Sequence, residues 1–168
     1  MYSAELDLSL FQRVSEELPV DEGKLLSHFE EFMRVFRSLK KLCADNLSKD
    51  TEGNDIGFYF STDPPFVFTE ALNKFLSSLE NHSKKHRNEP IYEILYDVLS
   101  SIRSYLGILE YYDEHFRTYI LVYGGDIKVK AYCIDPSLVL DKCMARACSS
   151  VLFSATLTPA EYFADVLG

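Results

Sequence analysis

The sequence predicts a mainly α protein, a bundle or arch of long amphipathic helices with a small α/β piece towards the C-terminus. Three observations carry that expectation. Apolar residues recur at steps of three and four through long segments between residues 22 and 112. Polar runs rich in Gly, Asp, Asn, Pro or Lys separate these segments. From residue 117 onward the apolar period falls to two, the period of a strand with one buried face.

Taken in order, Leu10, Phe11, Val14 and Leu18 suggest a short helix ending at Pro19. Leu25, Phe29, Phe32, Phe36, Leu39 and Cys43 then lay one stripe along a helix over 22–47, about seven turns long. Glu30, Glu31, Arg34, Arg37, Lys40 and Lys41 fill its other face, with Glu30 and Arg34 at the favourable i,i+4 spacing. SKDTEGND, residues 48–55, breaks the period, and GFYFSTDPPF reads as an extended stretch closed by Asp63, Pro64 and Pro65. Phe68, Leu72, Phe75 and Leu79 mark the next helix, and NHSKKHRNEP, residues 81–90, reads as a basic polar turn. Pro90 suits the first turn of a last long helix carrying Ile91, Leu95, Val98, Ile102, Leu106, Leu109 and Tyr112. Stripes of this kind are buried only against one another, which argues for a bundle or arch.

RTYILVY, residues 117–123, is rich in β-branched and aromatic residues, and IKVKAYCI alternates apolar and polar positions. Gly124, Gly125 and Asp126 join them in a hairpin turn, because glycine reaches positive φ without steric cost. Asp135 and Pro136 take cap and first-turn positions of a helix with apolar Leu138, Val139, Met144 and Ala147. SSVLF returns to a short buried strand, and Thr158, Pro159, Ala160 and Glu161 form a capping box for a further helix. Two units are therefore expected, a helical one over 1–116 and an α/β one over 117–168.

The chain of 168 residues is 47% hydrophobic, enough for one ordinary core. Its 26 acidic and 17 basic residues leave a net charge of -9, so the whole carries no footprint for a polyanion, and any nucleic-acid contact has to be local. No run approaches the roughly 20 apolar residues that span a bilayer. MYSAELDLSL has neither a basic leader region nor a cleavage site, so a soluble cytoplasmic protein is expected. Cys43, Cys133, Cys143 and Cys148 match no metal knuckle or disulfide scaffold, which leaves reduced, mostly buried thiols as the expectation.

Few positions point to chemistry. The hairpin Gly124-Gly125-Asp126 shares three residues with the diguanylate cyclase turn, but Ile127 and Lys128 follow where that family has Glu-Phe, and a plain turn explains it. Lys84, Lys85, His86 and Arg87 concentrate positive charge on an acidic body, where Lys84, Lys85 and Arg87 are candidates for DNA contact; a solvated loop is the plain alternative. His28, His82, His86 and His115 are scattered without metal-binding spacing. No GxxxxGK[ST] loop is present, and Ser154 lacks a GxSxG elbow, so neither unaided ATP hydrolysis nor serine hydrolysis is expected.

The tail is the most specific stretch. An apolar strand running into Ser154-Ala155-Thr156-Leu157, then Thr158-Pro159 and an aromatic-bearing helix with Tyr162 and Phe163 that ends at Leu167-Gly168, resembles motif III of superfamily 2 helicases of the XPD/DinG branch. YCIDPSLVL, residues 132–140, is similar to the strand-to-helix junction ahead of that motif, and MYSAEL, residues 1–6, to the segment that follows the DEAH box. The resemblance covers both ends; the helical middle matches by pattern and position.

The resemblance implies that residues 7–116 are the arch insertion, that residues 117–168 are a partial RecA-like motor segment, and that the chain is a fragment. The implied parent is an ATP-dependent DNA helicase of DNA repair, using ATP and magnesium, in which the arch guides single-stranded DNA. Ser154, Ala155 and Thr156 would couple hydrolysis to unwinding, the two hydroxyls bonding the acidic and histidine side chains of the DEAH box. The arch would frame a strand opening with an iron–sulfur domain whose cysteines precede the DEAH box, so no thiol of this chain is carried over as a ligand. Cofactor and metal sites in the chain itself are expected to be none. Expected partners are single-stranded DNA and the other motor domains of the same polypeptide, with no membrane, in the cytoplasm at the nucleoid or in a eukaryotic nucleus. The alternative is a non-enzymatic helical protein-interaction module.

Overall fold

The first apolar stripe forms α1 (Leu8–Ser15), with Leu8, Phe11 and Val14 inside. The computed structural model describes residues 3–15, 18, 23–85, 91–149, 151 and 161, without the side chains of 91–94. The second stripe runs along α2 (Gly23–Ser38) and a 3-10 helix (Leu39–Asn46) that continues it, burying Leu25, Phe29, Phe32, Phe36, Leu39 and Cys43. Phe68, Leu72, Phe75 and Leu79 do the same for α3 (Phe66–Lys85), as do Leu95, Val98, Ile102 and Tyr105 for α4 (Ile91–Leu109).

Rings dominate where the helices meet. Phe32 of α2 stacks on Phe75 of α3 with centroids 5.5 Å apart and planes 10° off parallel. Phe11 of α1 meets Phe32 edge-on at 4.8 Å, and Phe68 meets Phe36 at 5.0 Å and Tyr105 of α4 at 6.0 Å. Offset and edge contacts of this kind add about 0.5–1.5 kcal/mol per pair beyond the area buried.

The expectation of a mainly α protein holds in part: five α-helices are found among the described residues, and a five-stranded antiparallel sheet accompanies them. Its strands are β1 (Ala4–Asp7), β2 (Ser48–Lys49), β3 (Asp55–Ser61), β4 (Phe116–Tyr123) and β5 (Asp126–Cys133), in the order β1-β5-β4-β3-β2. β1 and β2 have four and two residues, too few for a period to show in sequence. The sheet runs across the expected 116/117 boundary: β3 pairs with β4 from Gly57 opposite Val122 to Ser61 opposite Thr118, and β1 pairs with β5 from Ala4 opposite Ala131 to Asp7 opposite Lys128.

One face of the sheet is covered. Leu6, Ile120, Val122, Ile127, Val129 and Ala131 belong to the same buried cluster as the helical phenylalanines. α1, α4 and the 3-10 helix lie on the strands, and α2 and α3 pair behind them. Gly57 permits the closest approach, since a Cβ there would stand 3.0 Å from Leu47 Cδ1 and 3.2 Å from the Asn46 carbonyl. Buried Thr118 is fully used: its hydroxyl donates to the Asp63 carbonyl at 2.9 Å and accepts from Tyr112 Oη at 3.0 Å. After β5, Asp135 Oδ1 accepts the Ser137 N–H at 3.0 Å and starts α5 (Ser137–Met144), which buries only Val139 and leaves Leu138 exposed.

Candidate functional site

α3 continues further than the polar composition of its end suggests. The segment 81–85, expected as part of a turn, is helical, because the step of three and four from Leu79 reaches His82 and Ser83, and both are buried despite being polar. Lys84 and Lys85 thereby occupy the exposed face of the last turn rather than the tip of a loop. Cations there also favour the helix dipole, by about 0.3–1 kcal/mol each.

That face looks across at α2. Lys24, Leu25 and His28 of α2 and Lys74, Ser77, Ser78, Asn81, Lys84 and Lys85 of α3 line a cleft of about 680 Å³. His28 Nδ1 and Ser78 Oγ, both half-buried, are 2.6 Å apart and tie the two walls. Lys74 is matched by carboxylates, Glu70 at 3.1 Å and Glu31 at 3.4 Å, and the Glu70 contact leads in holding its ammonium above the usual lysine range. Among the described residues no carboxylate lies within ion-pair distance of Lys24 or Lys84.

The uncovered face of the sheet is the other conspicuous surface. Phe58, Phe60, Tyr119, Leu121, Tyr123 and Tyr132 stand on it, with Phe60 59% and Tyr123 76% exposed. Its lysines are already engaged: Lys128 reaches Glu5 at 2.8 Å and Asp7 at 3.4 Å, and Lys130 reaches Glu5 at 3.4 Å. Arg117 Nη1 donates to the Glu114 and Phe116 carbonyls. This face is therefore aromatic and internally neutralised, whereas the α2–α3 cleft carries Lys24 and Lys84 with no carboxylate in ion-pair distance among the described residues.

The sequence-derived candidates divide between these places and the rest of the chain. Lys84 and Lys85 line the cleft; Arg87, Ser154, Ala155 and Thr156 lie outside the described residues. Lys24, His28, Ser77, Ser78 and Asn81 were not singled out by sequence, although the signal is there: Lys24 and His28 are i,i+4, and Ser77, Asn81 and Lys84 follow one helical face. The thiols do not gather. Cys43, which donates weakly to the Ile120 carbonyl, and Cys133 are buried, while Cys143 and Cys148 are exposed, so only two of the four match the expected burial. Burial pushes both the Cys43 and the Cys133 thiols up.

Among the described residues no group of three His, Cys, Asp or Glu side chains converges as a metal site. No GxxxxGK[ST] phosphate loop occurs in the sequence. Among the described residues no helix is long and apolar enough to cross a membrane. No family model, curated protein or solved structure matches the chain.

Proposed function

We propose that this chain is the arch insertion and the adjoining motor segment of an ATP-dependent DNA helicase of the XPD/DinG kind, a protein that moves on single-stranded DNA. The observation that supports it best is the pairing of β1 with β5. An insertion must leave its host and return at nearly the same point, and the two stretches that resemble the flanks of the family's arch are neighbours: Ala4 stands opposite Ala131, and Ser3 Oγ accepts the Cys133 N–H at 3.1 Å. Everything from α1 to β4 is an excursion between them. In this reading Ser154, Ala155 and Thr156 couple ATP hydrolysis to strand movement in the parent, and residues 7–116 act as the arch.

The decisive experiment is to sequence the gene upstream of Met1. A DEAH or DExH box shortly before it, with a Walker A motif further upstream, is the expected result, and an upstream region without either would end the reading. In the longer protein, Thr156→Ala should uncouple ATPase from unwinding with strand binding retained. This chain alone should turn over no ATP.

The exposed aromatic face of β3, β4 and β5 favours a second reading, a protein-interaction module without catalysis. Under that reading the upstream sequence would contain no nucleotide-binding motif.

A further inference from the structure

We propose that the cleft between α2 and α3 binds the phosphate backbone of a single nucleic-acid strand, with Lys24 and Lys84 as the phosphate contacts and the His28–Ser78 pair lining the same cleft. The assignment rests on the helicase reading for the identity of the strand, but its geometry is independent of motif III. On a body of net charge -9, Lys24 and Lys84, neither within ion-pair distance of a carboxylate among the described residues, line one cleft. Polyanions answer to such local concentration rather than to net charge.

Helix stability alone does not account for the arrangement. Lys84 and Lys85 suit the end of α3, but Lys24 stands in the first turn of α2, where the helix dipole disfavours a cation. Asp21 and Glu22 precede it in sequence and lie outside the described residues. What Lys24 shares with Lys84 and Lys85 is the cleft. The lining adds hydroxyl, amide and imidazole groups, all of which bond phosphate oxygens, from Ser77, Ser78, Asn81 and His28.

Length favours a strand over a lone anion. From Ser77 to Lys84 the α3 wall runs about 10 Å at 1.5 Å per residue, about three times the ~3.4 Å axial rise per phosphate in a DNA strand. Among the described residues no Phe, Tyr or Trp ring lines the cleft, so no broad base-stacking platform is offered there. Binding is therefore to the backbone, indifferent to sequence, and salt-sensitive. Two phosphate contacts on a single strand give a slope of log K against log salt of about -1.4.

The test is fluorescence anisotropy of labelled oligo-dT and oligo-dA with this chain, over a salt series starting well below physiological ionic strength. The expected result is equal affinity for the two, a slope near the value above, and a loss of ten-fold or more in the Lys24→Glu, Lys84→Glu double variant. Lys24→Gln, Lys84→Gln should show a smaller loss in the same direction. Lys128→Gln, on the sheet face, should bind as the parent chain does. Circular dichroism of each variant checks that these exposed substitutions leave the fold intact. Absence of oligonucleotide binding at the lowest salt overturns the proposal, as does binding that the cleft variants leave unchanged. Displacement of the oligonucleotide by pyrophosphate at equimolar concentration overturns it in favour of a small-phosphate site. None of these outcomes bears on the upstream DEAH box, so failure of the cleft and failure of the helicase reading are read separately.

Discussion

Asp55 lies between two lysines, Lys40 on the 3-10 helix and Lys49 on β2, and its hydrogen bonds to them, Lys40 first, hold its carboxyl down at about 2. A carboxyl depressed below its unfolded value, about 3.9, stabilises the fold above that pH and loses the contribution as pH falls towards about 2. Asp55→Asn should therefore flatten part of the decline in Tm on acidification from about pH 4 to about pH 2, which thermal melts across that window will check. Tyr105 poses the opposite problem. Its hydroxyl is buried without a hydrogen-bond partner among the described residues, and desolvation raises its phenol well above the usual tyrosine range. Removing an unsatisfied buried group is neutral or favourable, so Tyr105→Phe should leave stability unchanged or raise it by up to about 1 kcal/mol. A clear loss in urea denaturation would mean that the hydroxyl has a partner after all. Neither property was legible in the sequence, because both depend on which side chains meet across elements.

At the scale of elements, the β4–β5 hairpin is the clearest case of local sequence deciding structure. Gly124 and Gly125 take φ of 58° and 85°, the left-handed values that a two-residue hairpin turn demands. Gly125→Val should cost about 1–2 kcal/mol, since a branched side chain is strained there, and Gly125→Asn markedly less; chemical denaturation of the two variants is the comparison. The helix stripes were equally legible, residue by residue, because a step of three and four requires only local geometry. The end of α3 was not. Asn81 to Lys85 look like a turn by composition, yet they remain helical because tertiary packing accepts His82 and Ser83 into the interior. That difference moved Lys84 and Lys85 from a loop tip to the wall of a cleft shared with Lys24 and His28. α5 was expected with Asp135 as its cap and Pro136 in its first turn; it begins one residue later, with Pro136 at the cap position and no side-chain cap, while Asp135 Oδ1 accepts the Ser137 N–H and most of the helix's apolar residues remain outside the core.

For the whole molecule the question is whether residues 1–116 and 117–168 behave as separate units. The buried cluster joins Phe11, Phe32, Phe68 and Phe75 to Ile120, Val122, Ile127 and Val129, and β3 pairs with β4 across the expected boundary. Cooperative unfolding follows from shared burial. Unfolding followed by helical circular dichroism and by tyrosine fluorescence should therefore show coincident midpoints, whereas separated transitions would favour two units. Phe32→Ala, which removes a ring in contact with Phe11, Phe36, Phe68 and Phe75, should lower stability by about 3–5 kcal/mol and shift both signals together.

By itself the sequence determined the helix stripes and the hairpin, because each follows from spacing or turn chemistry within a few residues. It also marked Lys84 and Lys85 as a local excess of charge. Tertiary structure alone decided that β1, β2 and β3 complete a sheet with that hairpin, and that Lys24 and Lys84 line one cleft between α2 and α3. The physical reason is the same in both cases. Pairing of strands and convergence of charges are relations between residues as far apart as Ala4 and Ala131, or Lys24 and Lys84, and burial of a common core is what brings them together.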